Sequence, residues 1–242
     1  MTDSASTPDL SQTPFVKQLA SPDRQTRQNA LDSLRTYLSG RRSLPEDALL
    51  KLHTALFYTM WLTDRPLPQQ SLASSLAALP AITHKSNRIA FTAAFWTTMA
   101  REWTRIDVLR MEKFLLLTRR YVGAAFAQCA DGGWKAGVVE EQMKVLREGP
   151  LEPTATGVPN GMRYHVIDVW VDELERAGAL GEKRKGVELE VLLKPLEVLA
   201  KESPTKSVRT KCKEALADER LPGNEKEDVV MEEDEGWGGF AE

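Results

Sequence analysis

The stretch LFYTMWLTDRPLPQQ, residues 56–70, decides how the rest of the chain is read. Its first half sets Leu56, Phe57, Met60 and Trp61 at helical spacing, continuing Leu49 and Leu52 upstream. That is the 3.6-residue rhythm of a helix with one apolar face. Its second half, DRPLPQQ, ends the helix, because prolines cannot donate to the i−4 ladder and push the residue before them out of the α region. Physically the stretch is a corner between two helices. Asp64 is expected to cap the second helix, Pro66 and Pro68 to stiffen its start, and Gln69 and Gln70 to open its polar face.

The same rhythm runs outward from the corner in both directions. Ala30, Leu31, Leu34 and Leu38 show it, as do Leu72, Leu76 and Leu79; Trp96, Met99 and Trp103; Val108, Met111, Leu115, Val122 and Phe126; and Val166, Val169, Trp170 and Leu174. No segment alternates as a strand would. Helices are predicted over 14–20, 22–40, 45–62, 66–79, 86–103, 107–130, 136–148, 160–178, 187–202 and 204–217. Ser21-Pro22-Asp23 and Ser203-Pro204 read as capped starts, Pro45-Glu46-Asp47 as an acidic first turn, and Asp131-Gly132-Gly133 as a stop. Pro195 should kink the ninth helix or begin it, and the unpatterned segment 149–161 reads as a flexible joint or docking loop.

About ten helices joined by short turns make the fold all-α. A HEAT-like helical repeat or irregular α-solenoid is expected, with an irregular bundle as the alternative. One internal echo favours the repeat. Leu19-Ala20-Ser21-Pro22 with Arg27 and Ala30-Leu31 resembles Leu199-Ala200, Ser203-Pro204, Arg209 and Ala215-Leu216, although no fixed period runs through the chain. The expected organisation is a disordered N-terminus over 1–13, one helical domain over 14–217 and an acidic disordered tail over 218–242. The tail holds ten acids against Arg220 and Lys226, so it carries −8 of a net −3 and leaves a body of +5. Its GWGGF ending offers Trp237 and Phe240 as anchors for a partner.

The chain lacks the motifs of most enzyme classes. There is no phosphate-binding glycine loop, nucleophile elbow or H-E-x-x-H. Cys129 and Cys212 form no C-x-x-C, so neither a zinc ribbon nor a redox motif is present. The polar N-terminus has no signal-peptide pattern, and no apolar stretch approaches the roughly 18 residues of a membrane span. His165, Asp168 and Asp172 share a helix face and could converge on a cation, but a solvated acidic stripe is the stronger expectation. Glu140 and Glu141 read as a surface pair. No catalytic residue, metal, cofactor or small-molecule substrate is expected. Basic clusters are candidates for RNA phosphates: Arg41 and Arg42, Arg119 and Arg120, and Lys206, Arg209, Lys211 and Lys213. Lys183-Arg184-Lys185 is a short basic run of the nuclear-import type. The tryptophans Trp61, Trp96, Trp103, Trp134 and Trp170 read as core unless exposed together, when they would mark an interface.

LFYTMWLTDRPLPQQSLA, AFWTTMAREWTRIDVLRMEKFLLLTRR and GMRYHVIDVWVDEL, in that order, resemble the nucleolar ribosomal RNA-processing protein 1 family of eukaryotes. Phe57, Met60, Trp61, Asp64, Pro66, Gln69 and Gln70 carry the first block. Phe95, Trp96, Arg101, Glu102, Trp103, Ile106, Asp107, Arg110, Lys113, Phe114, Arg119 and Arg120 carry the second. Gly161, Arg163, His165, Asp168, Asp172, Glu173 and Leu174 carry the third. The resemblance implies a non-catalytic, HEAT-like scaffold in the nucleus and nucleolus that supports precursor rRNA processing in early pre-60S particles. It implies as partners precursor rRNA and other large-subunit assembly factors, among them a Brix-domain protein and a β-propeller protein. Trp61, Asp64, Pro66, Gln69, Gln70, Arg101, Glu102, Trp103 and Asp107 are then the expected partner-facing residues. A free-standing RNA-binding protein and a metal-dependent helical hydrolase are the alternatives. Many members of the family continue into a long basic extension, where this chain has its acidic segment.

Overall fold

Stripes of Leu, Phe, Ala and Trp wind this chain into helices that pack in neighbouring pairs. The structure, a computed structural model, describes residues 14–40, 43–180 and 188–224. The helices are α1 (Pro14–Gln18), α2 (Arg24–Gly40), α3 (Glu46–Trp61), α4 (Pro66–Ala77), α5 (Leu79–Ile82), α6 (Lys85–Glu102), α7 (Val108–Asp131), α8 (Ala136–Glu148), α9 (Asn160–Asp168), α10 (Trp170–Arg176), α11 (Leu189–Glu202) and α12 (Lys206–Leu216). A 3-10 turn, Trp103–Arg105, joins α6 to α7. No strand occurs among the described residues. The fold is all-α, and the ten expected helices are all present.

Two of them differ in detail. The helix expected over 66–79 ends at Ala77, and a further short helix, α5, follows from Leu79 to Ile82, mostly beyond those bounds, since Pro80 has no N–H to continue the ladder. The segment 160–178 breaks at Val169 (φ −91°, ψ −4°), where no proline or glycine announces it. The helix expected over 187–202 runs from Leu189 to Glu202 with Pro195 inside it, so of the two alternatives a start at the proline is excluded.

The 24-residue α7 is the spine, packed against α3, α4, α8, α9 and α10. One buried cluster runs from Val16 on α1 to Cys212 on α12, with Trp96, Trp170, Phe91, Phe114 and Phe126 fully enclosed. Phe57 stacks on Phe114 at 4.6 Å, so α3 is keyed directly to the spine.

The internal echo has a structural counterpart. Arg27 Nη1 donates to Ser21 O and Pro22 O at 2.8 and 2.9 Å. Arg209 Nη1 donates to Ser203 O and Pro204 O at 2.7 and 3.1 Å. In both, an early arginine satisfies carbonyls that the turn leaves without donors. The helix starts themselves differ from expectation: Asp23, not Ser21, caps α2, its carboxylate accepting from Thr26 N at 2.7 Å.

Two mobile-segment expectations meet structure. The stretch 149–161 is tied down by Arg163, whose guanidinium donates to Glu152 O, Ala155 O and Val158 O at 2.7, 2.8 and 2.8 Å, with Leu151 fully buried beside them. A free joint is therefore the wrong description of it. Residues 218–224 pack on the body, with Leu221 buried and Arg220 paired to Asp172 and Glu175. The expected segments 1–13 and 225–242, the pair Arg41 and Arg42, the run 183–185, and Trp237 and Phe240 lie outside the described residues.

Candidate functional site

The corner at 62–66 is built from buried cations that serve backbone carbonyls. The Trp61 and Thr63 carbonyls, at the end of α3 and just past it, have no helical donor ahead of them, because the chain leaves the helix at Leu62. Lys113, only 4% exposed, fills the gap: its Nζ donates to Trp61 O at 2.6 Å and Thr63 O at 2.8 Å. Gln69 Nε2 adds a third bond, to Thr63 O at 2.9 Å. Arg27 Nη2 reaches Leu62 O at 3.4 Å from the other side. Burial holds the Lys113 ammonium below its ordinary lysine range, and Asp64, 3.8 Å away, opposes that shift.

Asp64 itself does not cap α4. The cap position is Arg65, with no side-chain bond, and Pro68 at the third helical position has no N–H for a carboxylate to accept. The Asp64 side chain is 81% exposed. Pro66 occupies the first helical position as expected, and Gln70 is exposed.

The start of α7 lies beside this corner. Asp107 caps α7 by accepting from Arg110 N at 3.1 Å, and its other oxygen takes the Arg110 guanidinium. That guanidinium lies 4.8 Å over the Trp61 ring, so Trp61, Asp64, Pro66, Gln69 and Asp107 are brought to one end of the fold. Arg101 and Glu102 pair at 2.7 Å, and Arg101 also donates to Thr54 Oγ1 at 2.8 Å, so they brace α6 on α3. Glu102 and Trp103 are buried. A Cβ on Gly161 would stand 3.2 Å from the Trp103 indole nitrogen, which gives that glycine its reason.

Beside the exposed Asp64, Arg65 and Gln70, this end of the fold also exposes large apolar side chains. Leu67 is 78% exposed, Val108 88% and Leu109 92%, and Tyr58 and Leu62 are exposed on the adjoining turn of α3. Val108 was expected on the buried stripe of α7; the stripe instead runs through Lys113, Phe114, Leu117, Tyr121 and Val122. The readable signal was Val108-Leu109 itself, two adjacent apolar residues ahead of the charged Arg110.

The RNA candidates separate into engaged and free groups. Arg119 donates to Glu173 Oε1 at 2.6 Å and to Asp172 Oδ2 at 3.1 Å, so it joins α7 to α10 rather than extending into solvent. Glu173 is buried there, and a Cβ on Gly123 would come within 2.4 Å of its other oxygen. Arg120 lines a groove with Gly123 and Arg176. On α12, Arg209 closes its turn, and Lys211 bonds Asp168 at 2.6 Å, a contact that holds its ammonium above its ordinary value. Lys206 and Lys213 are exposed.

The one helix face with metal-type residues is otherwise occupied. His165 Nε2 bonds Leu115 O at 2.7 Å, and burial depresses its pKa. Asp168 pairs with Lys211, and Asp172 with Arg119 and Arg220. Among the described residues no group of three His, Cys, Asp or Glu is placed to hold an ion. Cys129 and Cys212 are buried, which pushes both thiols up to about 12 and keeps them protonated at neutral pH.

Comparison with known proteins matches residues 10–237 to the family described as "Nucleolar protein, Nop52". The chain is 35% identical to human ribosomal RNA processing protein 1 homolog B over 170 residues, 68% of this chain and 22% of that protein. Against the human homolog A it is 35% identical over 171 residues, covering 68% of this chain and 37% of that one. The homolog of Caenorhabditis elegans is 30% identical over 227 residues, 92% of this chain and 55% of its own length. The chain thus spans between about a fifth and just over half the length of these relatives.

Proposed function

The chain belongs to the Nop52 family of nucleolar proteins, and on that premise we propose that it is a non-catalytic helical scaffold in early precursors of the large ribosomal subunit. Its setting is the nucleolus and its process is ribosomal RNA processing, the role in which its relatives are named. The observation that carries the scaffold reading is the corner. Leu67 stands exposed just past a turn that Lys113, Arg27 and Gln69 hold from beneath, and Val108 and Leu109 stand exposed on the first turn of α7, whose Lys113 reaches that turn. Apolar side chains on a braced turn lose little entropy on docking.

In this reading the corner, with Trp61, Asp64, Pro66, Gln70 and Asp107 around it, faces another assembly factor, a Brix-domain or β-propeller protein by the family resemblance. Arg101, Glu102 and Trp103 support the corner from inside. Contact with precursor rRNA is secondary and falls to exposed cations such as Lys206 and Lys213 on α12. Sedimentation of the tagged protein from nuclear extract tests this. Co-migration with large-subunit rRNA precursors is the expected result, and migration as a small species free of precursor rRNA would overturn it.

A further inference from the structure

Between α2 and α4, beside the corner, lies a cleft of about 450 Å³. It carries Arg24, Arg27 and Arg65, with Asp64 as the single acid among its lining residues. Leu72 and Pro68 supply apolar surface over the buried Leu31, and Ser71 and Ser75 supply hydroxyls. Arg27 is committed to carbonyls of the turn and the corner. Arg24 and Arg65 are exposed and form no ion pair with any described residue. Two guanidiniums without an ion pair among the described residues, beside Leu72, Pro68 and hydroxyls, call for an occupant that is both acidic and apolar.

We propose that the cleft receives the acidic segment 225–242 of the same chain, EKEDVVMEEDEGWGGFAE. That segment holds eight acids against Lys226, and it carries Trp237 and Phe240 next to its carboxylates. An RNA backbone would gain from the arginines and would meet Asp64 as the segment does, but it would have no use for the apolar surface of Leu72 and Pro68. The segment matches both halves of the cleft's chemistry: carboxylates for Arg24 and Arg65, and an aromatic ring for Leu72 and Pro68.

The connection is short enough. Asn224, the last described residue, bonds Leu216 O and Asp218 O, and Arg220 is anchored to Asp172 and Glu175 on α10. Arg176 and Ala177, at the end of α10, share a groove with Ser74, Ala77 and Ala78 of α4. The neighbouring face of α4, through Pro68, Ser71, Leu72 and Ser75, lines the cleft. The path crosses about two helix spacings of roughly 8–10 Å each. Twelve residues separate Asn224 from Trp237, and at about 3.3 Å per residue they reach about 40 Å. A tether of this length gives an effective concentration on the order of millimolar, so weak contacts suffice.

The test uses the full chain with a photo-reactive residue, Trp237→p-benzoylphenylalanine, and maps the crosslinks by mass spectrometry. Crosslinks within one chain to residues 24–31 and 65–75 are expected. Their yield should fall at least about fivefold in an Arg24→Glu, Arg65→Glu variant with unchanged Tm, and also on raising salt from about 0.1 to 1 M. Crosslinks confined to other faces, crosslinks between chains, or an unchanged yield in the charge-reversed variant would overturn the proposal. Loss of single-stranded RNA oligonucleotide binding by that variant, with crosslinking unchanged, would assign the cleft to RNA instead. Purified protein suffices, so the result is independent of whether the chain joins a ribosomal precursor.

Discussion

The Ser21-Pro22 and Ser203-Pro204 turns lie near opposite ends of the described chain and are closed by the same arginine geometry, yet their surroundings differ. Arg27 is buried and continues past its own turn to Leu62 O on the corner. Arg209 is half-buried, stops at its own turn, and sits on a helix whose Lys206 and Lys213 point to solvent. One local motif thus does two jobs. At the N-terminal end it fastens a turn to the signature corner, and at the C-terminal end it closes a turn and leaves the helix surface available.

The contrast predicts a graded response to substitution. Removing the cation beneath the corner has the largest effect: Lys113→Ala takes the lysine donor from Trp61 O and leaves Thr63 O with Gln69 alone, and it should cost about 3 kcal/mol by urea denaturation. Arg27→Ala should follow at about 2 kcal/mol, against about 1 kcal/mol or less for Arg209→Ala. Equal losses at the two arginines would dissolve the comparison.

A pH series reports the same buried N-terminal half. His53 is wholly enclosed against Phe91, and burial lowers its pKa from 6.5 to about 3. The unfolded chain then binds the proton and the folded one does not, so stability is complete above about pH 6.5 and falls as pH drops toward 3. Between pH 6.5 and 5 the loss should be about 2 kcal/mol, and His53→Leu should flatten that slope. His165 has a pKa lowered chiefly by burial, and it adds a loss of the same sign. The smallest effect on stability is at the C-terminal end. Lys206→Glu with Lys213→Glu should leave Tm unchanged while weakening salt-sensitive RNA binding; an unchanged RNA affinity would make α12 an ordinary solvated face.

Much of this was legible in the sequence, and the limits have physical causes. Apolar periodicity located the ten helices because each buries one stripe. The charged residues that interrupt those stripes, Arg27, Lys113, Arg163 and Glu173, were readable as anomalies but not as partners. Their carbonyls and counter-ions lie up to 54 residues away, a distance only the fold sets. The same residues account for much of the family signature. Lys113 ties the first block to the second, and Arg119 and His165 tie the second to the third. The apolar face at Leu67, Val108 and Leu109 was hidden for the opposite reason. Val108 fits a helical rhythm, and only packing shows that the buried face of α7 is another one.

The account turns on whether that exposed corner docks a partner. Leu67→Asp with Leu109→Asp places acids in the first turns of α4 and α7, where the helix dipole favours them, so folding should be intact. Gradient sedimentation of the tagged variant beside the wild type, with Tm measured on both, is the direct measurement. Equal Tm and a loss of the variant from large-subunit precursor fractions are expected. A variant that melts normally and still co-migrates with precursor rRNA would contradict it.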